Sequence, residues 1–165
     1  MAAGSQVVKV GLADMKIAKA PDTIRTSGLG SCVGVVLYDL TKKVCGMAHI
    51  MLPDSSLARG ATVHPAKFAD TAIPGLIRML EKEGCRKDQL RAKIAGGAQM
   101  FKFSSSSEIM RIGPRNVEAV THWLKKFSIP VTGQETGGSS GRTIEFDPDT
   151  GKLFIRTVNL GEKVI

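Results

Sequence analysis

The chain has 165 residues, of which 42% are hydrophobic and 23% charged, and these values exclude a disordered chain and a fibrous repeat. Its 23 basic and 15 acidic residues give a net charge of +8, which favours acidic partners. The basic residues are scattered and do not alternate with aromatic residues, so we expect no nucleic-acid binding and, without a long apolar segment, no insertion into a membrane.

A single domain spanning residues 1–165 is expected, because this length is that of one ordinary domain with its own core. The first ten residues lack the basic start, the long apolar segment and the cleavage site of a secretory signal. The three cysteines, Cys32, Cys45 and Cys85, form no paired framework, as expected of thiols in a reducing compartment. We therefore expect a cytoplasmic protein.

The N-terminal third alternates short apolar segments with turn-forming residues, a pattern that predicts β-strands. Strands are predicted at 7–12, 16–19 and 24–26. Pro21 and Asp22 form a turn between the second and third of them. Residues 33–38 and 44–51 flank the polar segment 39–42, and this arrangement predicts a β-hairpin.

Two later segments carry apolar residues at helical spacing. The first predicted helix covers residues 66–83 and ends at Gly84, and Pro74 inside it predicts a kink or a split. The second predicted helix covers residues 115–127. A short strand at 91–95 lies between them.

The C-terminal part is predicted to consist of strands. They cover residues 130–135, 143–146 and 152–158, and the turn at 147–151 (DPDTG) joins the last two as a hairpin. Because strands clearly outnumber helices, we predict an α+β fold with a largely antiparallel or mixed sheet.

The first predicted hairpin suggests a chemical site. If its turn is centred between Leu40 and Thr41, residues opposite one another have numbers that add to 81, and Cys32 faces His49. Cβ atoms of directly opposed residues lie about 4.5–5.5 Å apart. A thiol and an imidazole at these positions can form a thiolate–imidazolium pair, and the thiolate is the nucleophilic form of cysteine.

Glycines on both sides of Cys32, in residues 28–34 (GLGSCVG), permit a tight turn and the close approach of a substrate. The alternative is that Cys32 and His49 are ordinary core residues, as apolar surroundings would allow. Cys45 and Cys85 do not have glycines on both sides and are predicted to be core residues. No metal site and no cofactor are expected, because the cysteines and histidines lack the paired spacing of zinc ligands.

Five segments of the chain resemble, in order, the chemoreceptor glutamine deamidases of the CheD family of bacterial chemotaxis. They are residues 28–32 (GLGSC), 48–54 (AHIMLPD), 92–98 (AKIAGGA), 112–117 (IGPRNV), and 136–138 (TGG) followed by Gly141 and Arg142. Together they span nearly the whole chain. The resemblance implies layered mixed sheets with two flanking main helices, similar to the cytotoxic necrotizing factor-like cysteine hydrolases.

The resemblance also implies a catalytic triad of Cys32, His49 and Thr26. Cys32 would attack the side-chain amide of a receptor glutamine, His49 would move the protons, and Thr26 would orient the imidazole. We expect the backbone amides of the turn from Gly30 through Ser31 to Cys32 to stabilise the oxyanion. No metal is needed for this chemistry.

The family further implies two partners, the chemoreceptors and the CheC phosphatase. The alternative function is therefore a docking module that binds receptors and CheC without catalysis. Phe101 and Phe103 follow a predicted strand and precede a serine-rich segment, and we predict that at least one is an exposed anchor for a partner.

Overall fold

A computed structural model describes residues 4–58, 64–100 and 111–165 of the chain. This part contains ten strands and two α-helices. The elements are β1 Val7–Lys9, β2 Met15–Lys19, β3 Thr23–Leu29, β4 Val33–Asp39, β5 Val44–Ile50, α1 Ala69–Lys82, β6 Arg91–Gly96, α2 Ile112–Lys126, β7 Val131–Thr136, β8 Arg142–Asp147, β9 Lys152–Thr157 and β10 Gly161–Val164.

The strands form two five-stranded sheets, and the helices pack on one of them. The first sheet has the order β1-β3-β8-β9-β10, and the second has the order β2-β5-β4-β6-β7. Both are mixed, because β1 pairs with β3 and β6 pairs with β7 in parallel while the other pairs are antiparallel. The predicted α+β class, with mixed sheets and two main helices, is confirmed.

Strand β4 is buried on both of its faces and separates two layers of the core. Val33, Val35 and Leu37 point to the helices and pack in the cluster with residues of α1 and α2. Val36 and Tyr38 point the other way and pack against residues of the first sheet. The layer between the two sheets is the one that contains the candidate site.

Both helices begin at different residues from those predicted. Helix α1 starts at Ala69, because Pro65–Lys67 forms a separate 3-10 turn, and it continues through Pro74 in one piece. Buried Ile73 and Ile77 flank this proline, and their packing compensates for the hydrogen bond that it cannot make. Helix α2 starts at Ile112, because a proline in the first turn removes only an N–H that has no partner within the helix.

The turn of the first hairpin is displaced by one residue from the predicted position. Its strands pair Asp39 with Val44 and Gly34 with His49, so opposite residues have numbers that add to 83. The carboxylate of Asp39 accepts hydrogen bonds from the amides of Thr41 and Lys42, at 2.9 and 3.1 Å, and this side-chain cap sets where the turn begins. The prediction that Cys32 directly faces His49 is wrong.

Strand β10 was not predicted, since all four of its residues are exposed and give no apolar alternation. Within the residues that the structure describes, no helix is long and apolar enough to cross a membrane.

Candidate active site

Three side chains from different elements are buried at one end of the layer between the sheets. Thr26 comes from β3 of the first sheet, His49 from β5 of the second sheet, and Cys32 from the turn that precedes β4. Thr26 is 2% exposed, His49 is fully buried and Cys32 is 9% exposed. Of the three, Cys32 is therefore the one that a substrate can reach first.

A hydrogen bond joins Thr26 to His49 across the two sheets, with 2.7 Å between the hydroxyl oxygen and Nδ1. The same hydroxyl donates its proton to the carbonyl of Val10 at 2.8 Å. Because threonine has one hydroxyl proton, its oxygen must accept the bond from His49, which places a proton on Nδ1. Nε2 then carries the lone pair of the neutral ring.

The Nε2 atom of His49 is buried and has no hydrogen-bond partner in the described part of the chain. Burial lowers the pKa of this imidazole from its ordinary value of 6.5, because the charged form loses hydration. An unpartnered polar atom in a core is unfavourable for stability, and such atoms in native proteins are often functional. Nε2 is therefore unprotonated, as the proton-accepting atom of a general base must be.

Cys32 lies on the same face of the second sheet as His49, although the two are not direct neighbours. Gly34 is opposite His49, and Cys32 is two residues before Gly34, so the side chains of residues 32 and 49 project to the same side. Such diagonal neighbours lie about 7–8 Å apart, which long side chains can span. The displaced register therefore keeps the thiol and the imidazole on one face.

Burial raises the pKa of the Cys32 thiol above its ordinary value of 9.0, and the backbone amide of Cys32 itself opposes this shift. The directions of the two shifts, upward for the thiol and downward for the imidazole, favour a neutral pair at rest. A thiolate–imidazolium pair would then form only when a proton moves from Cys32 to His49.

Close backbone contacts hold the turn that carries Cys32. The amide of Gly97 donates to the Cys32 carbonyl at 2.8 Å, and the amide of Ala98 donates to the Gly30 carbonyl at 2.8 Å. Gly96 has a φ of +111°, and a Cβ on it would overlap the Cys32 carbonyl. Only glycine fits at position 96, so the end of β6 fixes the turn that carries Cys32.

The predicted oxyanion donors differ in their availability. The amide of Gly30 already donates to the Gly28 carbonyl at 3.1 Å, so Gly30 does not fit the role predicted for it. Within the described residues, the amides of Ser31 and Cys32 donate no backbone hydrogen bond. These two amides remain the candidates for stabilising a developing negative charge.

Two buried polar residues near the site were missed as site residues in the sequence. Asn116 of α2 donates from Nδ2 to the carbonyls of Ser31 and Met51, and Arg142 of β8 donates to the carbonyl of Gly137. Each also has buried polar atoms without a partner in the described chain. The sequence signal that could have identified them is their position in segments 112–117 and 141–142, which carry the family resemblance.

The other sequence candidates lie apart from this cluster or outside the described residues. Cys45 is opposite Tyr38 at the far end of the hairpin, and burial raises the pKa of its thiol and that of Cys85, in keeping with core residues. The described ranges contain no group of three or more side chains able to hold a metal ion. Phe101 and Phe103 lie outside the described residues.

Comparisons with known proteins identify the family. The family described as CheD chemotactic sensory transduction matches residues 51–157, more than half of the chain. Three curated relatives, each named chemoreceptor glutamine deamidase CheD, extend the match to nearly the whole chain. They are from Bacillus subtilis (59% identity, 96% of each chain), Halalkalibacterium halodurans (58%, 98% of this chain and 99% of the relative) and Bacillus velezensis (57%, 99% and 98%).

A solved structure from Neisseria meningitidis overlaps 82% of this chain and 65% of its own, with a TM-score of 0.49 and 8% identity, a likeness too distant to bear on the site. The curated relatives, by contrast, align over the segment that contains Thr26, Cys32 and His49 as well as over the family match. The chain belongs to the CheD family.

Proposed function

We propose that this protein is a cysteine-dependent protein-glutamine deamidase that converts glutamine side chains of chemoreceptors to glutamate and ammonia. One observation carries the proposal: Nε2 of His49 is buried, unpartnered within the described chain and on the same sheet face as the Cys32 thiol. The names of the curated relatives supply the substrate, a chemoreceptor glutamine.

The first half-reaction forms a thioester. His49 accepts the thiol proton of Cys32 on Nε2 as the sulfur attacks the carbon of the glutamine amide. The amides of Ser31 and Cys32 donate to the tetrahedral oxyanion, and the Nδ1–H bond to Thr26 keeps the imidazolium oriented. The proton on Nε2 then passes to the amide nitrogen, the C–N bond breaks and ammonia leaves.

The second half-reaction uses the same groups. His49, neutral again, takes a proton from a water molecule that attacks the thioester carbon. The C–S bond breaks, the proton returns to the Cys32 sulfur, and glutamate is released. One amide and one water become one carboxylate and one ammonium, with no change in oxidation state.

Mass spectrometry tests this proposal directly. The full-length protein is incubated with the signalling domain of a chemoreceptor, and receptor peptides are searched for the one-dalton gain of glutamine converted to glutamate. Released ammonia is measured in parallel, because it distinguishes deamidation from the hydrolysis of a methyl ester. Unchanged receptor peptides, with an active relative converting the same receptor, would contradict the proposal.

The pH dependence distinguishes a neutral resting pair from an ion pair. The reaction requires a neutral His49 to accept a proton and a thiol to supply the proton that leaves with ammonia, so we expect kcat/KM to be flat between pH 6.5 and 9.0, falling below the first value and above the second. The limbs follow the signs of the shifts, because burial lowers the pKa of the imidazole and raises that of the thiol. Initial rates are measured at each pH, with circular dichroism to confirm the fold. An alkaline limb below pH 9.0, together with thiolate absorbance at neutral pH, would indicate a resting ion pair.

Replacing Thr26 by valine tests the orienting role. Valine has the same shape but no hydroxyl, so His49 loses the acceptor of its Nδ1–H and we expect kcat to fall by about 10- to 100-fold. Thr26→Ser is the matched control, because it keeps the hydroxyl and most of the activity. Wild-type kcat in a folded Thr26→Val protein would show that Thr26 serves only to bridge the sheets.

We also propose that the protein acts in the cytoplasm and binds the CheC phosphatase. The cysteines are unpaired thiols, which suits a reducing compartment, and the binding of CheC is what family membership suggests. Phe101 and Phe103 stay the predicted anchors for that partner. Co-sedimentation of purified CheC with wild-type and Phe101→Glu or Phe103→Glu protein measures the interaction.

A further inference from the structure

Asn116 connects the two chain segments that carry the proposed nucleophile and base. It lies on α2, is fully buried, and donates from Nδ2 at 2.9 Å to the carbonyl of Ser31 and at 2.9 Å to the carbonyl of Met51. Ser31 immediately precedes Cys32, and Met51 lies two residues after His49. One amide group thus holds both segments at the end of the β4–β5 ladder.

The orientation of this amide is set by its partners. Two carbonyl oxygens can accept only from the NH₂ group, so reversing the amide would place oxygen against oxygen. Its Oδ1 atom is consequently left buried without a partner in the described chain. A buried acceptor without a hydrogen bond lowers the stability of the fold. The two hydrogen bonds from Nδ2, in turn, fix the spacing between the two strand ends.

The strand pairing shows why this spacing matters. The last pair of the β4–β5 ladder is Val33 with Ile50, and the next residues outward are Cys32 and Met51. The β4–β5 ladder therefore stops just before the nucleophile. Beyond that point the Asn116 amide takes the place of a ladder bond and limits how far the turn with Cys32 can move from β5.

The backbone of α2 is itself fixed against this end of the sheet. A Cβ on Gly113 would overlap the carbonyl of Ala98, so helix and strand end are in direct backbone contact. The adjacent amide of Gly97 donates to the Cys32 carbonyl at 2.8 Å. The donor on Asn116 is thus carried by a helix whose backbone contacts the segment after β6, and that segment is itself hydrogen-bonded to the nucleophile turn.

We propose that Asn116 is a positioning residue that sets the distance between the Cys32 thiol and the His49 imidazole. The inference rests on the proposed function, in which these two groups exchange a proton. Asn116 does not touch the substrate in this proposal and acts only through the segments that it joins.

Two variants with the same branching at Cγ remove the bridge in different ways. Asn116→Asp replaces both donors by a carboxylate oxygen that repels the two carbonyls, and Asn116→Leu removes the donors without a charge. Val120→Ala is the matched control, because Val120 is buried in the apolar cluster one turn later on the same helix. We expect this substitution to lower stability without affecting the active site. Each protein is examined by circular dichroism, by receptor deamidation and by iodoacetamide labelling of Cys32, located by mass spectrometry.

We expect Asn116→Asp and Asn116→Leu to lower kcat by about 10- to 100-fold with KM changed less than about threefold, since misplaced reacting groups slow the chemical step. Labelling of Cys32 should fall to the rate of a His49→Ala protein. Val120→Ala should keep wild-type kcat and labelling despite a lower unfolding midpoint. If Asn116→Asp does not fold, Asn116→Leu, which adds no charge, provides the same comparison.

Wild-type kcat and labelling in a folded Asn116 variant would overturn the positioning role, as would losses no larger than those of Val120→Ala. Failure of the proposed function looks different, because the wild-type protein would then leave receptor peptides unchanged, or a Cys32→Ala protein would still deamidate them. The labelling rate does not depend on the identity of the substrate, so it tests the Cys32–His49 geometry even if the substrate is another amide.

Discussion

Cys32→Ala is expected to reduce receptor deamidation to the uncatalysed rate while the protein stays folded. The substitution removes the sulfur, which is the only atom of Cys32 able to form the thioester. The side chain is small and lies at the edge of the layer between the sheets, so its loss should lower the free energy of unfolding by only about 1 kcal/mol. Ammonia release and receptor mass report the activity, and thermal unfolding reports the fold.

Cys32→Ser gives a sharper comparison, because it changes one atom. A hydroxyl is a far weaker nucleophile than a thiol near neutral pH, and the imidazole alone is a poor base for it, so we expect activity to be lost here as well.

Cys45→Ala is the matched control for both Cys32 variants. Cys45 is buried in the same layer of the core, and it pairs with Tyr38 at the opposite end of the hairpin. Its replacement should lower stability but leave kcat unchanged. Full activity in either Cys32 variant would exclude the thioester mechanism.

The sequence was sufficient to place Cys32 and His49 on one face, even though the predicted register was displaced. Side chains alternate with a period of two along a strand, and the true pairing shifts the partner of His49 from Cys32 to Gly34, two residues away. A shift by an even number preserves the face. The displacement itself arose from the cap that Asp39 forms on the turn, a side-chain contact that spacing alone does not specify.

The hydrogen-bond partner of His49 outside the hairpin could not be predicted from the alternation of apolar residues along the strands. Thr26 belongs to the other sheet, and its hydroxyl is directed by the carbonyl of Val10, so this contact depends on how the two sheets stack. Only the resemblance to a known family indicated Thr26. Asn116 was missed for a related reason: a polar residue at the start of a predicted helix is ordinarily exposed, whereas this one is fully buried against two strand ends.

Replacing His49 should be nearly as damaging as replacing Cys32, and the two losses should not multiply. Without His49, neither the thiol proton nor the leaving amine has a proton carrier, so we expect His49→Ala to lower kcat by about 10³-fold or more. Because one step requires both groups together, the Cys32→Ala/His49→Ala double variant should be scarcely less active than either single variant.

The effect of His49→Ala on stability needs its own control. Removing a fully buried imidazole leaves a cavity that can lower the free energy of unfolding by about 2–4 kcal/mol. Met47→Ala supplies this control, because Met47 is buried two residues earlier on the same face of β5 and should lose stability without losing kcat. Rates are therefore compared at a temperature where each variant is folded by circular dichroism. If the single losses multiply in the double variant, or if Met47→Ala is as inactive as His49→Ala, then His49 contributes to the packing between the sheets and does not act with Cys32 as one catalytic unit.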